Sequence, residues 1–227
     1  MNIKNRDLIN KLINKDFFKE TATFTGHRPH KLYGYDLRHP YYQVLAREIF
    51  KQCEFLLLNK EVKYFISGCA LGADTVSFFA VEQLKRKYPN KDIKNILAIP
   101  YADLSKIWKS KTDIDRFDRM KASCDGYIEV DSIPKYNPWG YPIGEYNSKK
   151  LNSRNEFMVD YSSFIIAITL GEPSGTENCL NYLNKNRPEV YINRIHPEKI
   201  LEIKENKEFI SKLTFKLDDS LKRKFNI

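Results

Sequence analysis

Short apolar runs alternate with longer segments of helical periodicity along the chain. Runs of apolar and β-branched residues bounded by turn residues predict strands, and apolar positions three or four apart predict helices. The predicted strands are Thr21–Thr25, Val62–Ser67, Asn95–Pro100, Gly126–Val130, Phe164–Leu170 and Val190–Asn193. The predicted helices are Tyr41–Asn59, Ala73–Lys87 and Leu104–Ser123, the last with a break. This alternation is typical of an α/β domain with a mainly parallel sheet and crossover helices.

Two further helix starts are predicted from capping residues. The sequence Ser153-Arg154-Asn155-Glu156 has the form of a capping box, so we expect a helix to begin there with Arg154 and Asn155 at its N-terminus. Thr176 is predicted to cap a helix over Glu177–Lys185, which ends before Pro188.

The remaining segments flank or interrupt this core, which covers about residues 21–194 of a single domain over 1–227. Residues 131–152, rich in Pro, Gly and Tyr, are long for a connection and are predicted to form a loop that covers a ligand site. An N-terminal helix is expected over 5–18. The tail over 197–227 is predicted to be helical, with apolar residues at Ile200, Leu201, Ile203, Phe209, Ile210 and Leu213.

Composition narrows the class of protein. The 227 residues, 42% of them hydrophobic, suffice for one sizeable core. The four cysteines are scattered without a CxxC pair, which favours a reduced, cytoplasmic protein without a zinc knuckle. No stretch of about 18 apolar residues predicts a membrane span. The net charge of +9 favours a polyanionic partner, although lysines spread along the whole chain are equally typical of a solvated basic surface.

Three glycine-bearing segments directly follow predicted strands: 25–29 (TGHRP), 67–74 (SGCALGAD) and 171–176 (GEPSGT). The carboxyl ends of parallel strands share one edge of the sheet, where helix N-termini and backbone N–H groups attract phosphate. The three segments therefore predict a site for a phosphate-bearing ligand. Each segment alone is also compatible with an ordinary turn or helix cap.

We expect each segment to contribute in its own way. Backbone and hydroxyl groups of the second and third segments would surround the phosphate, Arg28 and Arg154 would neutralise it, and Asn155 and Asp74 would contact a sugar. Asp74 in a first helical turn is equally suited to stabilising the helix dipole. The predicted ligand-binding residues are Thr25, Gly26, His27, Arg28, Ser67, Gly68, Gly72, Asp74, Pro100, Arg154, Asn155, Gly171, Ser174, Gly175 and Thr176.

Several common sites are not indicated. The second segment lacks the lysine of a Walker loop and the spacing of a GxGxxG fingerprint, so neither ATP hydrolysis nor ordinary NAD binding is predicted. His27 and His30 have no third ligand nearby in sequence, so no metal and no other cofactor is predicted.

In combination with Arg154-Asn155 and Met158-Val159-Asp160, the three segments resemble the SLOG superfamily and, within it, its YpsA-like branch. The resemblance covers about residues 21–194. It implies a Rossmann-like, three-layer α/β fold with a nucleotide pocket, shared by LOG phosphoribohydrolases, DNA processing protein A and sensor domains that bind nucleotide second messengers. It also implies a homodimer, since relatives commonly form dimers.

The resemblance also shows a departure at the third segment. The PGGxGTxxE loop of the LOG enzymes corresponds to the residues around Ser174-Gly175-Thr176, but the first glutamate of the family's GTxEE corresponds to Asn178. An amide cannot act as a general acid or nucleophile. No catalytic residue is therefore assigned.

Four functions remain open on these residues. The first is binding of a nucleotide or nucleotide-derived second messenger, as a sensor or sequestering protein. The second is N-glycosidic hydrolysis of a nucleotide, as in the LOG enzymes. The third is single-stranded DNA binding, as in DNA processing protein A, with tyrosine-rich loops that supply stacking surfaces. The fourth is an unliganded scaffold.

Overall fold

A single seven-stranded sheet runs through the part of the chain that the computed structural model describes, residues 3–202 and 217–227. Its strands lie in the order β1-β5-β4-β3-β2-β6-β7, and every neighbouring pair is parallel except β1 with β5. The strands are β1 Ile3–Lys4, β2 Thr21–Gly26, β3 Tyr64–Ser67, β4 Lys94–Ile99, β5 Gly126–Glu129, β6 Phe164–Ile168 and β7 Tyr191–Ile195. The six predicted strands are confirmed within two residues or so at each end, and the short antiparallel β1 is an addition.

Helices cover both faces of the sheet. The helices are α1 Arg6–Ile13, α2 Pro40–Asn59, α3 Ala73–Lys87, α4 Lys111–Ser123, α5 Ser148–Asp160, α6 Gly175–Asn186, α7 Pro197–Glu202 and α8 Asp219–Phe225. Apolar residues of α2, α3, α4 and α8 pack in one core, and those of α1, α5 and α6 pack against the opposite face. The expected Rossmann-like, three-layer α/β fold is confirmed.

The order of the strands reverses at β2. The chain passes from β2 through β3 and β4 to β5 on one side, and β6 then pairs with β2 on the other side, with Gly26 opposite Ile168. The loops that follow β2 and β6 therefore diverge from adjacent strands. Such a switch point is where open α/β sheets form ligand crevices.

The two helix starts predicted from capping residues are wrong by a few residues. Helix α5 begins at Ser148, where the Asn147 side chain accepts the Lys149 N–H at 2.9 Å, so the Ser153 capping box is wrong and Ser153 and Arg154 lie in the second turn. Helix α6 begins at Gly175 because Ser174, not Thr176, accepts the Glu177 N–H at 3.3 Å. The predicted break in 104–123 is confirmed as a short 3-10 turn over Leu104–Ile107 before α4.

The N-terminal and C-terminal segments are shorter helices than expected. Helix α1 ends at Ile13 rather than near residue 18, because the chain turns at Lys15, which has a positive φ of 63°. In the tail, α7 and α8 are helical, Ile200 is buried, and the predicted apolar positions Ile203, Phe209, Ile210 and Leu213 lie outside the described residues. A helix able to span a membrane is absent from residues 3–202 and 217–227.

The segment before α5 is held to the sheet by a buried ion pair. Lys150 Nζ lies 2.7 Å from Asp131 Oδ2 and also donates to the carbonyls of Pro142 and Glu145 at 2.6 and 2.9 Å. Asp131 additionally accepts the Gly144 N–H at 2.8 Å. One lysine and one carboxylate therefore hold three backbone groups of the predicted loop, at Pro142, Gly144 and Glu145.

Candidate functional site

A cleft of about 420 Å³ opens at the carboxyl ends of β2 and β6, where the strand order reverses. This volume lies within the range of small-molecule sites. Helix α5 forms one wall and the start of α6 another. The predicted ligand-binding residues that line the cleft are Thr25, Gly26, His27, Arg28, Asp74, Arg154, Asn155, Ser174, Gly175 and Thr176.

The other five predicted residues lie behind or beside the cleft. Ser67 and Pro100 are buried at the ends of β3 and β4, and Gly171 is exposed after β6. Gly68 and Gly72 allow close approaches of other groups. A side chain on Gly68 would overlap the Arg154 guanidinium, and one on Gly72, whose φ is +95°, would lie 2.7 Å from the His27 carbonyl. These two glycines position other site residues and do not line the cleft themselves.

Arg154 and Asp74 pair with each other at the base of the cleft. Arg154 Nη1 lies 3.2 Å from Asp74 Oδ2 and also donates to the Gly68 carbonyl, and both side chains are almost completely buried. Asp74 Oδ2 accepts the Ala70 N–H at 3.0 Å. Arg154 Nε has no hydrogen-bond partner among the described residues. The positive charge of Arg154 neutralises the Asp74 carboxylate, and the Nε–H of Arg154 is still available to donate a hydrogen bond.

Arg28 brings a second guanidinium into the cleft. Its side chain is half-buried and forms no hydrogen bond or ion pair within residues 3–202 and 217–227. Burial lowers the pKa of Arg28, and the nearby positive charge of Arg154 lowers it further. Of the carboxylates in the described chain, only Asp74 lines the cleft. Two guanidinium groups therefore share a single carboxylate, and the cleft is positively charged.

His27 is a structural link between two loops and is electrically neutral. Its Nε2 accepts the Leu170 N–H at 2.9 Å, its backbone N–H donates to the Ile168 carbonyl at 3.1 Å, and its carbonyl accepts the Ala73 N–H at 3.2 Å. Burial lowers the pKa of His27, and Lys31 adds to this. The side chain lines the cleft but its Nε2 is already occupied.

The N-terminus of α6 presents unpaired backbone to the cleft. The N–H groups of Gly175 and Thr176 lie in the first turn, where no intrahelical acceptor exists, and no heavy atom lies within 4 Å of the position a Gly175 side chain would take. Glu177 does not line the cleft, since its carboxylate accepts the Thr169 hydroxyl. The helix end is therefore open to an anion and is not blocked by its own acidic residue.

Three buried polar groups behind the cleft lack partners among the described residues. They are Arg154 Nε, the Ser67 hydroxyl and the Tyr101 hydroxyl. Tyr101, the residue after Pro100, is completely buried, and burial together with Tyr146 raises its pKa to about 12, so it is a protonated donor at neutral pH. The three groups are available to donate hydrogen bonds, and Arg154 is the one among them that lines the cleft.

Sequence reasoning missed several residues that line the cleft. Lys31 reaches across its mouth to Glu172, with Nζ 3.4 Å from Oε2. The first turns of α5 contribute Ser148, Leu151 and Asn152, which lie within the loop predicted over 131–152 and are helical because Asn147 caps α5. The remaining additional residues are His30, Ala70 and Pro173.

The described residues contain no group of three His, Cys, Asp or Glu side chains suited to a metal ion. All four cysteines are buried and unpaired, and burial raises the pKa of each thiol. Neither metal nor thiolate chemistry is indicated in the described part of the chain.

The parallel sheet, its switch point and the cleft define a Rossmann-like α/β protein with a positively charged crevice at the strand ends. Comparison with known families gives a narrower assignment. The family model of the YspA SLOG family, YpsA, matches residues 22–200, and the chain belongs to this family.

Two curated proteins are similar to parts of the chain. The uncharacterized SPbeta prophage-derived protein YoqJ of Bacillus subtilis strain 168 is 40% identical over 143 residues, which cover 63% of this chain and 82% of YoqJ. A probable ribose 5-phosphate isomerase of Caenorhabditis elegans is 34% identical over 76 residues, which cover 30% of each protein.

Proposed function

We propose that the chain binds a nucleotide or nucleotide-derived small molecule through its phosphate in the cleft between β2 and β6, as a sensor or sequestering protein. The observation that carries the proposal is the Arg28 guanidinium, which is half-buried beside Arg154 and has no acceptor among the described residues. Placing a cation there next to a like charge is unfavourable unless an anion joins it. A phosphate would supply the missing acceptor oxygens.

The other walls of the cleft fit the same ligand. The open N-terminus of α6 offers two backbone N–H groups to phosphate oxygens. Asn155, whose Nδ2 donates to the Gly175 carbonyl at 3.3 Å, lies at the border between the phosphate site and the rest of the cleft. Membership of the SLOG family supports a nucleotide-related ligand, and the partial relative named for ribose 5-phosphate supports a sugar phosphate.

Binding is favoured over hydrolysis by the state of the carboxylates. Asp74 is paired with Arg154, and Asn178 stands where the LOG pattern has a glutamate. A general acid or a nucleophile needs a carboxyl group within reach of the scissile bond. Glu177, the nearest glutamate in sequence, is hydrogen-bonded to Thr169 outside the cleft.

The test is a titration of the purified protein with inorganic phosphate, ribose 5-phosphate, nucleoside monophosphates, NAD derivatives and cyclic dinucleotides, followed by calorimetry and thermal unfolding. A ligand that binds only the folded state stabilises it by about 2.7 kcal/mol at 100 times its Kd. Arg28→Gln should weaken binding roughly ten- to hundredfold, because a charge-assisted hydrogen bond is lost. Arg6→Gln, an exposed arginine on α1, is the matched control.

Two results would contradict the proposal. If no compound of the panel gives a heat of binding or a shift in melting temperature, the phosphate site is refuted. If Arg28→Gln and Arg6→Gln change the Kd equally, the role assigned to Arg28 is refuted. Retardation of single-stranded DNA with a log–log salt slope of about −0.7 per phosphate contacted, without binding of any mononucleotide, would favour the DNA-binding alternative.

A further inference from the structure

A second, smaller cavity of about 130 Å³ adjoins the phosphate cleft between α5 and α6. We call it the α5–α6 notch, and its lining is Asn152, Asn155, Glu156, Asn178, Cys179 and Tyr182. Asn152 and Asn155 line both cavities, so the notch continues the cleft along the two helices. Pockets that hold a whole small molecule are usually larger than about 300 Å³, so the notch is too small for one. It can hold one edge of a molecule that also occupies the cleft.

The notch and the cleft have opposite electrostatic character. Arg28, Arg154 and Lys31 line the cleft. The notch contains the Glu156 carboxyl group, and behind Tyr182 lies Asp160, which accepts the Tyr182 hydroxyl at 3.0 Å and is paired with Lys135. Cys179 contributes a buried, protonated thiol. A second phosphate would be repelled here, whereas a neutral group rich in N–H donors would be attracted.

Glu156 is a charged group in the notch that has no partner among the described residues. Its carboxyl group is half-buried and forms no hydrogen bond or ion pair in the part of the chain that the structure describes. Burial and the nearby negative charge of Asp160 raise the pKa of Glu156. A hydrogen-bond donor at its carboxylate would oppose this rise. A carboxylate accepts hydrogen bonds at two oxygens and can bind two adjacent donors at once.

The notch extends away from the phosphate site along α6. Tyr182 follows Gly175 by seven residues on α6, which is about 10 Å along the helix axis at 1.5 Å per residue. A group bound there lies beyond the ribose of a ligand whose phosphate is held at Gly175. The three asparagine amides supply both donors and acceptors for the edge of a heterocycle.

Resting on the phosphate-binding function proposed above, we infer that the α5–α6 notch receives the nucleobase of the ligand and that Glu156 selects a base edge with two adjacent N–H donors, as guanine presents. The notch thereby sets specificity, and the cleft supplies most of the affinity for the phosphate.

Calorimetric titration with GMP, IMP, ribose 5-phosphate and inorganic phosphate tests this inference. IMP differs from GMP only by the missing exocyclic amine, so wild-type protein should bind GMP about ten times more tightly, the loss expected for one hydrogen bond to a charged group. Glu156→Gln should reduce the difference between GMP and IMP, because the amide is uncharged and accepts at one oxygen only, and should leave the Kd for ribose 5-phosphate within twofold. Asn178→Ala, at an exposed position of the notch, should raise the Kd for GMP several-fold. Asp115→Asn, an exposed carboxylate on α4, is the charge-matched control.

The outcomes separate the two proposals. If ribose 5-phosphate binds but GMP and IMP bind equally, or if Glu156→Gln preserves their difference, the notch is not a base site and the phosphate site stands. If none of the four compounds binds, both proposals fail. Circular dichroism of each variant establishes that it is folded before its Kd is interpreted.

Discussion

Lys150 and Asp131 form an ion pair with a 2.7 Å separation in which both side chains are buried, although nineteen positions separate them in the sequence. The pair joins the first turn of α5 to the chain that follows β5. Because Ser148, Leu151 and Asn152 of α5 line the cleft, the pair fixes one of its walls.

We predict that Lys150→Met will destabilise the protein by about 3–5 kcal/mol, because Asp131 would be left as an unpaired buried charge. Urea unfolding followed by tryptophan fluorescence measures this. The double variant Lys150→Met/Asp131→Leu should recover a large part of the loss. A double variant less stable than Lys150→Met would show that the pair itself is not the source of the effect.

Gly68→Ala should destabilise the fold and weaken phosphate binding. The added methyl group would overlap the Arg154 guanidinium and lie 2.8 Å from Asp74 Oδ2, so the buried pair would have to move. Overpacking of this kind costs about 1–3 kcal/mol. Gly175→Ala is the matched control for stability alone, since nothing lies within 4 Å of its added methyl group. Equal stabilities of the two variants in urea would contradict the assigned role of Gly68.

The protein should lose stability as the pH falls below about 6.5. His27 has a pKa below its ordinary value of 6.5 in the folded state, so between the two values the unfolded chain binds more protons. Its contribution is fully present above 6.5 and is lost as the pH falls through the folded-state pKa.

The comparison that isolates His27 is the variant His27→Gln, whose side-chain oxygen can accept the Leu170 N–H without titrating. The difference in unfolding free energy between wild type and variant, measured from pH 8 to pH 5, should shrink or change sign on acidification. A difference that stays constant over this range would show that His27 does not titrate there.

Ser174→Ala should destabilise the protein by about 1 kcal/mol, because the side chain that caps α6 is lost. Thr176→Val, which keeps the shape of a buried side chain, is the companion variant. The hydroxyl of Thr176 takes no part in capping, so this change should cost less. Thermal unfolding distinguishes them, and a larger loss for Thr176→Val would restore Thr176 as the cap.

The centre of the sheet was predictable because β3, β4 and β6 are largely apolar and buried on both faces. Runs such as Phe164–Ile168 read as strands from the sequence alone, and their parallel arrangement follows from the helices between them. The added strand β1 has two residues, Ile3 and Lys4, too few for any periodic signal.

The helix starts were less predictable, since several residues compete for each cap. Asn147 and Ser153 are both good caps, and the burial of Ser153 against the core decides for Asn147. The three glycine segments predicted the location of the cleft. Which of their residues line the cleft and which only support it was not predictable. That depends on contacts such as those of Arg154 with Gly68 and Asp74, which are 86 and 80 positions away in the sequence.

Lys31 lies at the mouth of the cleft, where its Nζ is 3.4 Å from Glu172 Oε2 and 3.5 Å from the Pro173 carbonyl oxygen, and the Glu172 carboxylate is mostly exposed. Surface ion pairs of this kind contribute at most about 1 kcal/mol. The opposite wall is anchored by Lys150. An anionic guest that enters the cleft would therefore compete with Glu172 for Lys31, and added salt would weaken both contacts.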